Sequence, residues 1–477
     1  MEEAAASYDV CWTYLCDIKT SNISEDPRPL VDFQPRLAAA IAALSRLYAQ
    51  IARERRELVR SKASLSANWF TARQRLLDAR QRALNYAINT GRCLGDSFAY
   101  FFYRNDSYLL QNHLSQPAVP HAPTGIGGIG ELEFVKNVKT VHGKMMLYHG
   151  ITSILRIGDV SLIDLKTHRV AGLAELKSWS PEKGRVEVNL IAVGPGLKRS
   201  STGTEVPLGD ALKPKITLSA GAKDRLARQL KKIGETFKKD KNPEGDTKLR
   251  IESRNHMRAL DRLVRNARRR KFSFVKVDNG LVLGAIRSPF RSLLANATQE
   301  LNAGNALNSE DLISHLTNLM DKTRVDNSLS IGMLVYDDNG RLSHLTGMAQ
   351  LFWWDLSLRT LHALIFHEVI VVTIFNHAHI LKSFERMGFK VELQPKGGYR
   401  ITKKIGGHVM ELGEASYFFQ MIQRHLFTES FILEAIGDLE KRAEEKSVEG
   451  RYDAVHMDLR FNQEIAVRLR RTKANLK

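Results

Sequence analysis

Apolar residues recur at helical spacing early in the chain. Leu37, Ile41, Leu44, Tyr48 and Ile51 share one face, and the opposite face ends in Arg53, Arg55, Arg56 and Arg60. A second periodic run passes through Ala72, Leu76, Leu77, Ala83 and Leu84, with Ser66 and Asn68 as candidate caps. Two long amphipathic helices in succession predict a helical hairpin within residues 1–115. Such a hairpin packs on its own domain or serves as a dimerisation element or clamp. Residues 116–130 break the pattern with Pro117, Pro120 and Pro123, then Gly125, Gly127, Gly128 and Gly130. A phosphate-cradling glycine loop needs a preceding strand, and none is read here, so the segment is expected to be a linker.

The period then changes. A helix is expected from Glu131, followed by strands at 145–148, 160–165, 170–176 and 186–193. A Gly- and Ser-rich loop covers 194–209, and basic amphipathic helices are read at 223–239 and 254–271. Asp278-Asn279-Gly280 joins strands 272–277 and 281–286 into a hairpin. Beyond residue 291, Asp337-Asp338-Asn339-Gly340 marks a turn after a strand. Val369, then His379 and Phe384, then Gly388-Phe389-Lys390-Val391 read as strand, helix, strand. The apolar stretch 361–381 contains Glu368 and the β-branched run Val369 to Val372, which suits a buried strand and helix better than a membrane span. The whole is an α+β chain with a helical N-terminal region (1–115), a central domain (131–290) and a mixed α/β C-terminal domain (291–477) with a basic tail.

Composition adds direction. A chain of 477 residues with 43% apolar content can bury two or three cores. Lys and Arg number 71 against 52 Asp and Glu, a net charge of +19. That surplus favours a polyanionic partner. Basic runs at Arg262, Arg265, Arg268, Arg269, Arg270 and Lys271, and at Arg468, Arg470, Arg471 and Lys473, are candidates to track a phosphate backbone. Cys11, Cys16 and Cys93 make neither a disulfide framework nor a zinc site, and the acidic Met1-Glu2-Glu3 start lacks a signal core. A cytoplasmic protein without membrane association is expected.

The chemistry concentrates on one hairpin. With its turn near Lys166–Thr167, Asp159 falls opposite residues 174–176, within cross-strand reach of Glu175. Glu175 and Lys177 are two apart and share a face. Two carboxylates and an ammonium at one sheet edge suit metal-assisted phosphodiester hydrolysis. The carboxylates can hold Mg²⁺ or Mn²⁺, the ion can polarise the phosphate, and Lys177 can orient a water or neutralise developing charge.

Gly158-Asp159 followed by Glu175-Leu176-Lys177 after a hairpin resembles the PD-(D/E)XK, or restriction-endonuclease-like, nuclease superfamily, over about a third of the chain. The resemblance implies a mixed-sheet core flanked by helices. It implies a preceding helix with a further acidic ligand, matched by Glu131 or Glu133 with Glu131 preferred. It also implies a later helix with polar or basic residues, where Gln229 and Lys232 are candidate phosphate contacts. Glycine stands where the family often has proline, and the loop from 194 to 214 is long. The implied activity is a divalent-metal-dependent nuclease acting on DNA, with RNA left open. A homo-oligomer is expected, since double-strand breaks need paired active sites, and prokaryotic defence against foreign DNA follows by analogy alone.

Two rivals come from other classes. A non-catalytic nucleic-acid-binding or assembly protein would use the basic helices and ignore the hairpin charges. An acyltransferase-like enzyme would use Ser383 to Phe389, which faintly resembles an acetyltransferase helix-to-strand step but lacks a pyrophosphate loop. His362, His367, His377 and His379 beside Glu368 lack the i, i+4 spacing of paired helical ligands. Trp353-Trp354 reads as core, or as a base-stacking platform.

Overall fold

The computed structural model describes residues 1–20, 28–104, 106–117, 126–141, 143–167, 169–182, 185–194, 228–231, 233, 254–270, 272–287, 329–334, 350–395, 398–405, 408–412 and 415–448. Within them the chain is mixed α and β.

Helix α1 (Glu2–Thr20) lies against a long pair, α2 (Arg28–Arg60) and α3 (Ala67–Tyr103), followed by α4 (Ser107–Leu114). The predicted hairpin is therefore present, and each helix runs well beyond the periodic stretch that announced it. Ser66 occupies the N-cap position of α3, although its side chain makes no capping bond, and Asn68 lies inside the helix. The proximal halves are buried: Phe33 stacks on Phe98 with ring centroids 4.3 Å apart. Arg46–Arg60 and the first turns of α3 bury little more than Leu58 and Leu77.

Ile126–Asn137 forms helix α5. The expected linker thus loses its last five residues to a helix, because Ile126, Ile129 and Leu132 keep helical spacing through the glycines. Gly130 is buried, and α5 packs on β4 and β5.

A five-stranded sheet follows in simple order: β1 (Thr140–Val141), β2 (Lys144–Tyr148), β3 (Val160–Asp164), β4 (Arg169–Glu182) and β5 (Arg185–Val193). All four pairings are antiparallel. The mixed sheet expected from the family resemblance is therefore not what these residues build. The connections between successive strands run from two to eleven residues, below the dozen or more that a parallel crossover needs. The β3–β4 hairpin places Val160 opposite Ala174, as the turn geometry predicted, and Ala171 is the extra residue of a bulge beyond Leu162. Strand β4 is twice the length read from its apolar run. Gln34 of α2 docks on β2: its Nε2 donates to Met146 O and its Oε1 accepts from Tyr148 N, each at 2.7 Å.

Helix α6 (Met257–Arg270) and the hairpin β6 (Phe272–Lys276) and β7 (Leu281–Arg287) form as predicted. They join β8 (Leu329–Met333) and β9 (Val369–Asn376) in a second antiparallel sheet of order β6-β7-β9-β8. The hairpin at 272–287 thus pairs with the C-terminal part of the chain and not with the first sheet. The strand–helix–strand unit also forms, as β9, the helix Ala378–Arg386 and β10 (Lys390–Leu393). Strand β10 joins a third sheet with β11 (Tyr399–Ile405) and β12 (His408–Leu412). No helix among the described residues is long and apolar enough to cross a membrane.

One contiguous apolar cluster runs through all these parts. Trp353 and Trp354 are in it, and the Trp353 indole N–H donates to Ser97 O of α3 at 2.8 Å. Lys19 of α1 donates to Phe352 O and Trp354 O at 2.7 and 3.0 Å. The tryptophan pair is core, and the N-terminal helices are bolted to the C-terminal region.

Candidate active site

Asp159 follows a backbone that only glycine adopts comfortably. Gly158 has φ of +72°, and a Cβ there would meet Ala174 O at 2.9 Å. Proline, with φ fixed near −65°, cannot take this conformation. Glycine before Asp159 therefore has a local steric cause.

Asp159 continues the ladder past the end of β3. Its N–H donates to Ala174 O at 2.8 Å, and its Oδ2 accepts from Leu176 N at 2.8 Å. The carboxylate is thereby fixed beside Glu175, whose side chain is 4% exposed. Lys177 shares the face, and its Nζ donates to Glu175 Oε2 at 3.1 Å and to Gln229 Oε1 at 3.2 Å. From α5, Glu131 turns toward the same cluster, accepting from the Tyr148 hydroxyl at 2.6 Å.

The electrostatics tie these groups together. Burial raises the Glu131 carboxyl to about 7, and the Asp159 charge adds to that rise while Tyr148 and Lys177 oppose it. Glu175 is also raised well above the ordinary carboxylate range, by burial first and then by Asp159, with Lys177 opposing. Two buried carboxyl groups facing the Asp159 charge beside one ammonium form an anionic pocket that gains from added positive charge. Among the described residues no group of three or more His, Cys, Asp or Glu closes to metal-holding distances. Tyr148 holds Glu131 and Lys177 holds Glu175, so the carboxylates sit within electrostatic reach of each other without converging.

The structure thus brings Glu131, Asp159, Glu175, Lys177 and Gln229 together. Glu133 faces solvent in an ion pair with Lys136 at 2.8 Å, so the preferred alternative is the one in the cluster. Lys232 lies outside the described residues. Arg265, Arg268, Arg269 and Arg270 are exposed on α6, which packs on the second sheet and not on this cluster. Arg265 pairs with Asp261 at 3.1 Å and Arg268 with Glu368 at 2.9 Å. The run from Arg468 to Lys473 is outside the described residues. Glu368 also takes His362 Nδ1 at 3.0 Å, while His367 is buried, so the histidine-rich stretch is structural here.

Sequence reasoning missed the scaffold behind Asp159. Asp96 of α3 accepts from Ser153 N at 2.6 Å and from Ile154 N at 3.1 Å. His113 of α4 accepts at Nδ1 from Arg156 N and Ile157 N, at 2.9 and 3.0 Å. That assignment puts the His113 proton on Nε2, which reaches Tyr103 OH at 3.2 Å. Tyr103 OH then meets Ser161 Oγ at 2.5 Å, Ser161 Oγ meets His149 Nε2 at 2.6 Å, and His149 Nδ1–H donates to Gly158 O at 2.9 Å. Each hydroxyl donates once, so a single directed chain of bonds runs from α4 to the turn that presents Asp159. Burial pushes His149 down to about 4, which keeps it neutral as the chain requires. No local sequence signal marks this relay, because its members lie on separate elements.

Tyr103→Phe breaks the relay in the middle and leaves buried donors and acceptors unmatched. A loss of about 1–3 kcal/mol in unfolding free energy is expected in urea denaturation. A variant as stable as the parent would mean the relay does not hold the turn. No protein-family model, curated protein or solved structure matches the chain.

Proposed function

We propose that the chain is a divalent-metal-dependent nuclease of restriction-endonuclease-like type, with DNA as substrate. The observation that carries this reading is the gathering of Glu131, Asp159 and Glu175, from a helix, a turn and a strand, around Lys177. The donor chemistry fits Mg²⁺ or Mn²⁺: three hard oxygen donors, with Glu131 and Glu175 raised by burial and by the Asp159 charge, both of which a bound cation offsets. Asp159 and Glu175, helped by Glu131, would hold the ion, which would supply positive charge at the scissile phosphate.

The chain's own groups do the rest. Lys177 places an ammonium beside Glu175, where it can orient a water and offset charge building on the phosphate oxygens. Gln229 holds that ammonium from the other side. Burial of Glu175 lowers the local dielectric on its side of the cluster, which strengthens its pairing with Lys177. The antiparallel sheet departs from the family's mixed one, so the reading rests on the residue cluster.

The test is cleavage of supercoiled plasmid, linear duplex and single-stranded RNA, with Mg²⁺, Mn²⁺ or EDTA. Metal-dependent nicking or cutting is expected, and inertness on all three with both ions would refute the proposal.

A pH dependence follows. Cation binding requires ionised carboxylates, and Glu131 binds its proton up to about pH 7. Below that pH the apparent Mg²⁺ affinity is expected to fall up to about tenfold per pH unit for each protonated carboxylate, with proton release on binding. Calorimetric titrations at pH 6 and pH 8 check this, and equal affinities would count against it. In the metal-free protein the sign is opposite. The folded carboxyl holds its proton more tightly than its ordinary value of 4.5, so stability falls as pH rises from about 4.5 toward 7.

A further inference from the structure

The distal part of the α2–α3 hairpin has no evident structural reason for its charge. Residues 46–82 carry ten Arg and Lys against Glu54, Glu57 and Asp78, an excess of seven positive charges. Two of the ten are used between the helices, as Arg55–Asp78 at 3.1 Å and Arg73–Glu54 at 3.3 Å, which fix the pair in register. The exposed Arg46, Arg53 and Arg60 recur every seven residues along one face of α2. On α3, Arg75 and Arg82 repeat the same spacing, opposite the buried Leu77. Like charges three and four residues apart, as Arg53, Arg56 and Arg60 are, oppose helix formation. A row kept at that expense and left facing solvent suits an external polyanion.

We infer that this two-helix arm is a nucleic-acid contact, gripping the phosphate backbone of a strand through Arg46, Arg53, Arg60, Arg75 and Arg82. The inference extends the nuclease reading by giving the substrate a second point of attachment. From Arg46 to Arg60 the arm runs about 21 Å at 1.5 Å per residue. That covers roughly six phosphates of one strand at 3.4 Å spacing. The proximal ends of the same helices carry Gln34 and Asp96, which hold β2 and the turn before Asp159. The arm is thus rigidly continuous with the candidate active site. Trp69, 52% exposed near the tip, adds a flat ring able to stack on a base.

Other partners fit less well. Membrane insertion needs a continuous apolar stripe, whereas exposed Leu47 and Val59 lie on different sides of α2, three turns apart. A second copy would bring two sets of like charge together.

The test uses the full chain carrying Asp159→Ala, so that binding is read without cutting. Arg53→Gln, Arg60→Gln, Arg75→Gln and Arg82→Gln are combined in one variant, and the matching Arg→Lys variant preserves the charge. Duplex and single-stranded oligonucleotides are titrated by fluorescence anisotropy at several salt concentrations, with circular dichroism as the fold check. The Gln variant is expected to bind at least about tenfold more weakly, and the slope of log K against log salt should shrink by about 0.9 for each duplex phosphate that is no longer neutralised. The Lys variant should keep the parent's slope. Equal affinity and slope for the Gln variant would overturn the inference. So would loss of binding to phosphatidylserine vesicles with nucleic-acid binding intact, which would make the arm a membrane contact. The same arm variants with Asp159 intact are assayed for cleavage: cutting without arm dependence would leave the nuclease reading standing and sink this one, and arm-dependent binding by an inert protein would do the reverse.

Discussion

Replacing Lys177 by Ala is expected to lower the rate of metal-dependent DNA cleavage about 10²- to 10³-fold, the usual effect of removing one preorganised charge from a reacting centre. The side chain does two jobs. Its ammonium bonds Glu175 Oε2 at 3.1 Å, and it opposes the proton affinity of both Glu175 and Glu131. Without it, both carboxyls rise further, so the pH at which cleavage is half-maximal should move upward as the rate falls. Asp159→Asn is the companion variant. An Asn oxygen can still accept from Leu176 N–H, as Asp159 Oδ2 does at 2.8 Å, so the ladder is kept and only the charge is removed. Cleavage should fall at least as far as with Lys177→Ala while the thermal midpoint changes little. Rates for both variants, from single-turnover nicking of a plasmid across pH 6 to 9, decide the matter. Parental rates in either would remove the cluster from the chemistry.

The second large effect concerns the residue before the aspartate. Gly158→Pro makes the motif look more like the family's, and it is nonetheless expected to disable the protein. At φ of +72° the proline ring cannot close, and relaxing the turn would withdraw Gly158 O from His149 and Asp159 N–H from Ala174 O. The expected cost is about 3 kcal/mol or more, with loss of cleavage. Gly158→Ala separates the two causes. A left-handed alanine costs about 1–2 kcal/mol, and its Cβ also presses on Ala174 O, 2.9 Å away. Chemical denaturation of the three proteins should rank them glycine, alanine, proline. A stable, active proline variant would show that the turn can be rebuilt and that the positive φ is incidental.

The hairpin was legible in the sequence because both of its determinants are local. Strict alternation sets which side chains share a face, and a polar turn of known length sets the register, so Asp159, Glu175 and Lys177 could be placed together from spacing alone. Glu131 entered only through the resemblance to a nuclease superfamily, and the structure places it beside Tyr148 in the same cluster. Its helix was read as starting late because a glycine cluster signals a break when viewed locally, whereas packing against β4 and β5 rewards small residues there. Strand β4 runs beyond its apolar stretch because Ser178, Ser180 and Pro181 signal a strand end locally, whereas pairing with β5 carries the strand through them. The conformation of Gly158 was not legible, since a glycine does not announce its φ. The buried relay from His113 to His149 was invisible for a different reason. A hydroxyl and an imidazole become partners only when tertiary structure sets them 2.6 Å apart, and nothing in spacing foretells it.

Gln34 also bears on how the protein keeps to itself. Strand β1 is two residues long and Lys139 O takes the Met146 N–H, so the outer edge of β2 would lie open from the Met146 carbonyl onward. The Gln34 amide meets Met146 O and Tyr148 N as a peptide group of a neighbouring strand would. A side chain on a helix thereby stands in for the next strand. The edge is closed to recruitment by another chain, the route by which exposed sheets nucleate aggregates.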